Sequence, residues 1–453
     1  MNPRTRFFLF RLVNRLLWPL ILLILVLVWV FYRKARPYFA ERMGLSAGMS
    51  GPSRMSAEPR DGCVLFHLAS LGEAHASKGL LIRLSQKHRL LATTTTVTGR
   101  ESLAVQMPDL SVSLAPLDLP DLWDPFIRSR GIRGIILFET EIWPMMLLTA
   151  IVRGIPVALV NGRLSTAGFG RMKRIRGILA PLVSGIDPVC VQSSRDKERF
   201  MVLGAKEDRV FVTGNLKWDI PEHDDPDLST QLDSWLKGTE VSAFGQHAGK
   251  PFRLLLSSVH PIETEAVLET LSHQERWAMP IHIVIALRHL ERMNEIRPVL
   301  ARFSHVAYRK RGVTDRKDTE TPSIVLSVLD TYGELNSLYP QVDAAFIGGT
   351  LDPVGGHNPI YAAKAGLPIL IGPHIDHIRD LVDALETGMA PIRLSGADGM
   401  CEAIRKMMED PGYRSLLGKN ARSVFLSQNG AMERTLDRLV PFWERAGKGS
   451  VPS

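Results

Sequence analysis

Acidic side chains follow two apolar runs of the sequence, at positions where a carboxylate could act as a general base. Glu73 comes soon after one run, and Glu139 and Glu141 come directly after another. A positioned carboxylate can accept the proton of a hydroxyl group that attacks an electrophile. Glu73 also stands three residues after Ser70, which is the spacing of a helix capping box. Both roles stay open for Glu73, and they do not exclude each other.

A glycine-rich stretch in the C-terminal half is typical of a phosphate site. The apolar run Ala344–Ile347 leads into a loop with Gly355 and Gly356, and Asn358 and Pro359 suit the start of a helix. Free backbone N–H groups at the two glycines would face an anion above that helix. An ordinary connection between a strand and a helix is the alternative.

Two basic side chains also follow apolar runs. Arg288 would lie where a phosphate binds, because its guanidinium can bond two oxygens at once. Lys217 could offset charge that develops during a reaction, although a place at the surface is the commonest fate of a lysine.

These residues need parallel strands to bring them together. Short apolar runs alternate with amphipathic stretches of ten or more residues, which predicts parallel sheets covered on both faces by helices. In such sheets ligands bind beyond the carboxyl ends of the strands. We therefore predict an α/β protein with two doubly wound domains and a cleft between them. The predicted strands are Val64–Leu68, Leu90–Ala92, Ile135–Phe138, Val157–Val160, Val189–Val191, Val210–Val212, Arg253–Leu256, Ile281–Ala286, Ile324–Ser327, Ala344–Ile347 and Pro368–Ile371.

Two stretches that interrupt this alternation divide the 453-residue chain into domains. A stretch rich in Gly, Ser, Pro and Met predicts a linker at 44–60, and a polar stretch rich in helix breakers predicts an interdomain linker at 221–250. The two domains are then 61–220 and 251–447. The three cysteines are scattered without metal-ligand spacing and suit a reducing compartment.

The N-terminal segment, residues 1–43, carries most of the charge. It holds eight Lys and Arg against one Glu, so it contributes +7 of the net charge of +8 and leaves no basic excess for a nucleic-acid surface. Within it, Leu16–Tyr32 has no charged residue, and a helix of that length rises about 26 Å, the short end of a bilayer span. We predict a membrane anchor that spans the bilayer or lies in its plane. The basic residues, four on each side, do not orient it.

Eight motifs, in order, resemble those of the Kdo transferases of lipopolysaccharide synthesis. These enzymes move 3-deoxy-manno-octulosonic acid (Kdo) from CMP-Kdo to a lipid A precursor. The resemblance covers residues 63 to about 430. The motifs are Ser70–Glu73, Thr96–Gly99, Glu139–Pro144, Asn161–Ser165, Gly214–Asp219, Arg288–Arg292, Gly333–Leu335 and Gly348–Pro359.

This resemblance implies a GT-B glycosyltransferase that inverts the sugar's configuration and needs no metal or other cofactor. Its first domain would face the lipid A precursor, and its second would hold the CMP-sugar. Glu73 would be the catalytic base, and Glu139 and Lys217 would stabilise the transition state. The positions implied for CMP-sugar binding are Arg288, Gly333, Glu334, Gly355, Gly356, Asn358 and Pro359, and those on the acceptor side are Glu141 and Arg163.

The family's N-terminal anchor would place the catalytic domains on the cytoplasmic side of the cell inner membrane. A basic run between Arg163 and Arg176 contains no acid. It would meet the phosphates of the acceptor or anionic lipid headgroups. A solvated helix face is the alternative.

Four differences from the family pattern lie on the nucleotide side. They are Tyr361 in place of Glu, Leu287 in place of Pro, Tyr332 before Gly333, and the segment Ile375–His377. Two other functions therefore stay open: a transferase of the same fold that uses another nucleotide sugar, and a non-catalytic membrane-tethered binding protein. The intact acidic and basic candidates of the first domain argue against the second of these.

Overall fold

The computed structural model describes residues 38–44, 62–220, 225–246, 249–274, 277–310, 312, 314–316 and 322–448, together with three single positions nearer the N-terminus. The chain divides into two compact units. The first unit runs to Asp219 and resumes at Asn429, and the second is Ile220–Gln428.

The first unit is built on a parallel seven-stranded sheet with the order β3-β2-β1-β4-β5-β6-β7. This order changes direction between β1 and β4, the position at which doubly wound sheets bind ligands. The strands are β1 Cys63–Leu68, β2 Leu90–Thr94, β3 Ser111–Leu114, β4 Ile132–Phe138, β5 Val157–Gly162, β6 Ile186–Val191 and β7 Val210–Val212.

Helices cover both faces of this sheet. Successive strand residues point to opposite faces, so Leu65 and Leu137 belong to one buried cluster and Phe66 and Phe138 to another. The helices are α1 Phe39–Arg42, α2 Leu71–Ser85, α3 Val97–Gln106, α4 Pro120–Ser129, α5 Pro144–Arg153, α6 Thr166–Arg174, α7 Arg176–Val183 and α8 Ser194–Leu203, with 3₁₀ turns at Glu207–Arg209 and Leu216–Trp218.

The second unit has an eight-stranded sheet with the order β11-β10-β12-β9-β8-β13-β14-β15. All its strand pairs are parallel except β10 with β11. Its change of direction lies between β8 and β13. The strands are β8 Phe252–Val259, β9 Ile281–Leu287, β10 His305–Tyr308, β11 Thr314–Arg316, β12 Ile324–Leu329, β13 Ala344–Ile347, β14 Ile369–Ile371 and β15 Pro391–Arg393.

Helices of the second unit alternate with these strands. They are α9 Pro226–Phe244, α10 Pro261–Ser272, α11 Met293–Leu300, α12 Leu335–Leu338, α13 Ile360–Lys364, α14 Arg379–Thr387, α15 Gly399–Glu409 and α16 Pro411–Gln428, with 3₁₀ turns at Leu290–Arg292 and Tyr339–Gln341. Two doubly wound Rossmann-like units are thus confirmed. Helix α9 lies inside the predicted linker 221–250, which the structure assigns to the second unit.

The last helix, α17 Ala431–Lys448, belongs to the first unit, whereas the sequence placed it in a domain 251–447. Its Phe442 is fully buried in the core of the first sheet. A Cβ on Gly134 of β4 would lie 2.8 Å from the Phe442 ring, so only glycine lets the two elements approach. The carboxylate of Asp219 accepts the N–H groups of Gly430 and Met432, which fixes the point where the chain returns.

Residues 38–44 pack against the rest of the first unit. The predicted boundary at residue 43 therefore lies within a segment that is part of this unit. Glu41 is buried, with a 2.8 Å ion pair to Arg100 and a hydrogen bond from the Leu114 N–H. The predicted linker 44–60 lies outside the described residues except for Gly44, and so does the predicted anchor Leu16–Tyr32 except for Leu16. Among the described residues, no helix combines the length and apolarity needed to cross a membrane.

Candidate active site

Glu73 lies in the first turn of α2, beyond the carboxyl end of β1. Its Oε2 accepts the Ala69 N–H at 2.8 Å, and the Ser70 hydroxyl is 3.3 Å from its Oε1 and accepts the Glu73 N–H at 3.4 Å. The predicted N-cap role of Ser70 is therefore confirmed, whereas the Glu73 carboxylate bonds the N–H of Ala69 and not that of Ser70, which a capping box requires. Burial, with smaller contributions from Glu139 and Glu141, raises the pKa of Glu73 to about 7. A carboxyl group with this pKa is suited to take up a proton at neutral pH.

Glu139 follows β4, the neighbour of β1, and is held in an unusual backbone conformation. Its φ is +57°, and its carboxylate accepts the Asn161 Nδ2 group at 3.4 Å. Asn161, at the end of β5, is fully buried and also has a left-handed φ of +54°. Asparagine tolerates this region better than most residues. Two adjacent strand ends thus hold one another through a buried side chain.

The same Asn161 side chain reaches the segment that carries Lys217. Its Oδ1 accepts the Leu216 N–H at 3.0 Å. Lys217 lies half-buried in the 3₁₀ turn Leu216–Trp218, and its N–H bonds the Asn215 side chain at 3.0 Å. Asn161 therefore links Glu139 to the Lys217 turn. The sequence marked this asparagine only as part of a motif, and its bonding role was missed.

Glu141 lies two residues beyond Glu139, in contact with two aromatic side chains. Its Oε2 accepts the Trp143 indole N–H at 2.6 Å and lies 3.6 Å from Nε2 of His67, a fully buried residue of β1. Burial acts to raise the pKa of Glu141, but His67 and Trp143 act together in the other direction, and the pKa lies below its ordinary value. Glu73 and Glu141 are thus two carboxyl groups with pKa values displaced in opposite directions.

Arg163, the other predicted acceptor-side residue, is half-buried, and its carbonyl accepts the Thr140 hydroxyl. Most of the basic run between Arg163 and Arg176 lies on helix α6, in which no residue is buried.

The glycine-rich loop of the second unit differs from the prediction at its central point. The N–H groups of Gly355 and Gly356 are not free: both donate to the Gly349 carbonyl, at 3.1 and 2.6 Å. The φ values of Gly355 and Gly356, +102° and +88°, explain why glycine stands there. The expectation that these two groups face an anion is therefore wrong. They close the loop on itself.

A buried acid occupies the other N–H groups of this loop. Glu263 of α10 is 1% exposed, and its carboxylate accepts the N–H groups of Gly349, Thr350, Leu351 and Asp352 at 2.7, 2.9, 2.8 and 3.3 Å. It also accepts the His260 N–H at 3.1 Å, which ties β8 to the loop after β13. The loop thus holds an internal anion in place of an external one.

Histidine side chains gather at this same end of the second sheet. The Nε2 atoms of His260 and His357 are 2.9 Å apart, and the ring of His289 lies 5.9 Å from that of His260. Burial first, then Arg288 and the neighbouring histidines, lowers the pKa of His357 to about 4. Imidazoles beside a guanidinium form a site where an anion would be stabilised, and the anion would favour protonation of the His357 ring.

The remaining predicted nucleotide residues lie at helix starts and loops of the second unit. Arg288 is exposed directly after β9, Gly333 has a φ of +87°, and Glu334 pairs with Arg309 at 3.4 Å. The side-chain oxygen of Asn358 accepts the Ile360 N–H at 2.8 Å. Helix α13 begins one residue later than predicted, with Pro359 as its N-cap, and has five residues.

No group of three or more His, Cys, Asp or Glu side chains in the described parts of the chain is arranged to hold a metal ion.

Comparisons with known proteins show which family this chain is similar to. A sequence model of the family described as 3-Deoxy-D-manno-octulosonic-acid transferase (kdotransferase) matches residues 38–220. A 3-deoxy-D-manno-octulosonic acid transferase of Haemophilus influenzae is 29% identical over 438 residues, covering 94% of this chain and 96% of that protein. Over nearly its whole length the chain is thus similar to Kdo transferases, which are glycosyltransferases.

A second relative and one solved structure extend this likeness. The enzyme of the same name from Bordetella pertussis is 28% identical, covering 91% of this chain and 95% of its own. The crystal structure of Acinetobacter baumannii MurG matches 83% of this chain and 98% of its own length with a TM-score of 0.50 at 14% identity, a likeness of fold alone.

Proposed function

We propose that this enzyme transfers Kdo from CMP-Kdo to a lipid A precursor, as a metal-independent, inverting glycosyltransferase with a GT-B arrangement of its two units. The observation that carries the proposal is the Glu73 carboxyl group, held beyond β1 with a pKa of about 7. The names of the relatives supply the sugar. The donor's nucleotide and the acceptor rest on the resemblance between this chain and the family's motifs.

Glu73 acts as the base in this mechanism. Its carboxylate accepts the proton of the acceptor's hydroxyl group while that oxygen attacks the anomeric carbon of Kdo. The bond from this carbon to the CMP phosphate oxygen breaks, and its electrons leave with CMP. One displacement inverts the configuration and needs no covalent intermediate, so a single base suffices.

Glu139 and Lys217 stabilise the charge that develops in this step. A carboxylate next to the sugar favours positive charge at the anomeric carbon, and an ammonium favours negative charge on the leaving oxygens. Asn161 keeps both groups in place, since it bonds the Glu139 carboxylate and the turn that carries Lys217.

The second unit binds CMP-Kdo at the end of its sheet where β8 and β13 diverge. Arg288 and the histidines at 260, 289 and 357 meet the phosphate, and Asn358 and Glu334 lie in the loops expected to hold the nucleotide. Because burial and neighbouring cations hold the pKa of His357 at about 4, an arriving anion should raise it and cause proton uptake. Titration calorimetry of CMP in two buffers with different ionisation enthalpies measures this uptake. Equal heats in both buffers would exclude the histidines from the phosphate site.

We further propose that the enzyme lies at the cytoplasmic side of the cell inner membrane, tethered by Leu16–Tyr32. A membrane-bound acceptor and the anchor predicted from the sequence support this placement. Neither a cofactor nor a nucleic-acid partner enters the proposed reaction.

Radiolabelled Kdo transfer to a tetra-acyl lipid A precursor, with CMP-Kdo as donor, tests the assignment of Glu73. Glu73→Gln keeps an oxygen that can accept the Ala69 N–H but cannot act as a base. We expect a loss of turnover of about a hundredfold or more, with CMP binding retained. Near-normal turnover of the folded variant would exclude Glu73 as the base.

A matched control exists in the same unit. Asp196 repeats the capping arrangement at the start of α8: its N–H bonds the Ser193 hydroxyl at 3.2 Å and its carboxylate accepts the Leu164 N–H at 2.9 Å. Asp196→Asn should leave turnover unchanged apart from any small loss of stability. If both variants lost turnover equally, the effect would be structural.

The pKa of Glu73 also predicts the pH dependence of stability. Because the folded-state pKa is raised from 4.5 to about 7, the folded protein binds more protons than the unfolded chain between these values. The contribution of Glu73 to stability therefore falls as pH rises through this window. Glu73→Gln should have a higher thermal midpoint than the wild type above pH 7, and an equal or lower midpoint there would contradict the raised pKa.

Another nucleotide sugar is the second candidate donor, and one contact favours testing it. The ring of Tyr361, which stands in place of a family Glu, lies 6.2 Å from the ring of Tyr339, parallel to it within 11°. The Tyr339 hydroxyl in turn bonds Ser257 at 2.6 Å. Tyr361→Glu should tighten CMP binding by about 1–2 kcal/mol if CMP-Kdo is the donor. Weaker binding of CMP, together with faster transfer from a UDP-sugar, would favour the other donor.

A further inference from the structure

His67 is a buried polar residue that the proposed reaction does not use directly. It lies on β1, fully buried, and its Nδ1 is 3.0 Å from the hydroxyl of Thr93, its partner on β2. Its Nε2 has no hydrogen-bond partner and lies 3.6 Å from Glu141 Oε2. If the threonine hydroxyl donates to Nδ1, the ring proton sits on Nε2 and faces the carboxylate.

Aromatic rings fix the orientation of this imidazole. The ring of Trp143 stands edge-on to it with centroids 5.5 Å apart, and the ring of Trp123 stands edge-on at 6.4 Å. The Trp143 indole N–H also donates to Glu141, at 2.6 Å. Glu141 is thus approached by two N–H groups whose positions are set by packing, so its carboxylate has a defined place.

We propose that His67 is a positioning residue which, through Glu141, sets the charge next to Glu73. This inference rests on the proposed function, in which Glu73 is the base. Glu141 remains a carboxylate, and its negative charge disfavours a second negative charge on Glu73. The pKa values of these two carboxyl groups are displaced in opposite directions. Glu141 therefore serves as a fixed negative charge, and Glu73 serves as the proton acceptor.

The charged groups around this pair come from several elements. Glu73 faces it from α2 and Glu139 from the end of β4. Asp118 lies near His67, and its carboxylate caps α5 by accepting the Met145 and Met146 N–H groups. Glu139 and Glu141 both raise the pKa of Glu73, so the loss of the Glu141 charge should ease the ionisation of Glu73.

The pH dependence of Kdo transfer by the full-length enzyme tests this inference. Glu141→Gln removes the charge, and its side-chain oxygen can still accept the Trp143 N–H. The acidic limb of the rate profile should move to lower pH by several tenths of a unit, as expected for one nearby like charge. His67→Phe keeps the ring volume but removes the donor. Protonation of Glu141 then becomes easier, and the acidic limb of the rate profile should again move to lower pH.

His67→Gln is the conservative control, because its amide nitrogen can approach the position of Nε2. We expect its limb to stay near that of the wild type. If His67 only fills space in the core, His67→Phe will leave the acidic limb in place, whatever its effect on turnover or stability, and that result overturns the inference. An unmoved limb in Glu141→Gln overturns it independently, even if His67→Phe does not fold.

Failure of the inference and failure of the proposed function give different results. If Glu73→Gln is inactive while the acidic limbs of Glu141→Gln and His67→Phe stay where the wild-type limb lies, Glu73 remains the base and His67 has no influence on it. If Glu73→Gln retains turnover, the proposed base itself is excluded.

Discussion

Asn161 offers the most informative single substitution in the first unit. Its side chain accepts the Leu216 N–H at 3.0 Å and donates to Glu139 at 3.4 Å, and its φ is +54°. Alanine at this position loses both bonds and retains the left-handed backbone. A buried N–H left without a partner costs about 1–3 kcal/mol, and the left-handed conformation costs an ordinary residue roughly 1–2 kcal/mol. We expect Asn161→Ala to reduce the stability of this unit by about 2–4 kcal/mol, since asparagine already bears part of the backbone cost.

Two further variants separate the backbone from the side chain. Asn161→Gly relieves the backbone and should be less destabilising than Asn161→Ala. Asn161→Asp keeps an oxygen for the Leu216 N–H but places a second carboxylate beside Glu139. It should fold with a thermal midpoint near that of the wild type and transfer Kdo at least about tenfold more slowly, because Glu139 is displaced or protonated.

Thermal unfolding and Kdo transfer, measured on the same preparations, decide the matter. Met389 provides a control for the backbone, since it has a φ of +52° and a side chain that is 75% exposed. Met389→Gly measures the relief of a left-handed φ without the loss of a buried side chain. A fully active Asn161→Asp would refute the role given to this residue, and equal stability of the Ala and Gly variants would refute the backbone argument.

Three further predictions concern stability and are read from thermal or denaturant unfolding. Phe442→Ala should destabilise the first unit by about 3–5 kcal/mol; no change would mean that α17 is not part of that core. Glu263→Gln should destabilise the second unit by about 2–4 kcal/mol, because an amide group replaces a carboxylate that accepts five N–H groups; retained stability would mean that the loop is held in another way. Deletion of residues 1–37 should preserve stability, whereas deletion of 1–43 removes Glu41 from buried Arg100 and should cost about 3–5 kcal/mol; equal midpoints would contradict this.

The strands of both sheets were predictable where apolar runs are long and uninterrupted. The sequence signal was weaker for β3, Ser111–Leu114, and for β11, Thr314–Arg316, because these strands are short and polar and lie at sheet edges. Helix α17 was assigned to the wrong unit for a different reason. Its position depends on Phe442 packing against Gly134, a contact between residues far apart in the chain that no local pattern reveals.

The candidate site was predictable to the level of residue type but not of bonding. The sequence identified Glu73, Glu139 and Lys217 from their places after strands. It did not identify Asn161 as their connection, because a buried side chain with two partners looks like any other polar residue in a motif. For the glycine-rich loop, the local pattern was misleading. The N–H groups of Gly355 and Gly356, predicted to be free, donate to the Gly349 carbonyl. Other N–H groups of the loop donate to Glu263, which lies more than eighty residues earlier.

The two units place opposite chemistry at the same point of the same architecture. In each sheet the order changes direction beside its first strand, β1 or β8, and the strands that diverge there leave room for side chains at their carboxyl ends. The first unit has carboxyl groups at this position, and burial, with smaller contributions from the neighbouring carboxylates, raises the pKa of Glu73 to about 7. The second unit has imidazole groups and a guanidinium group at this position, and together they would stabilise a bound anion. A doubly wound sheet therefore determines where the chemistry occurs, and the few residues after each strand determine which chemistry it is.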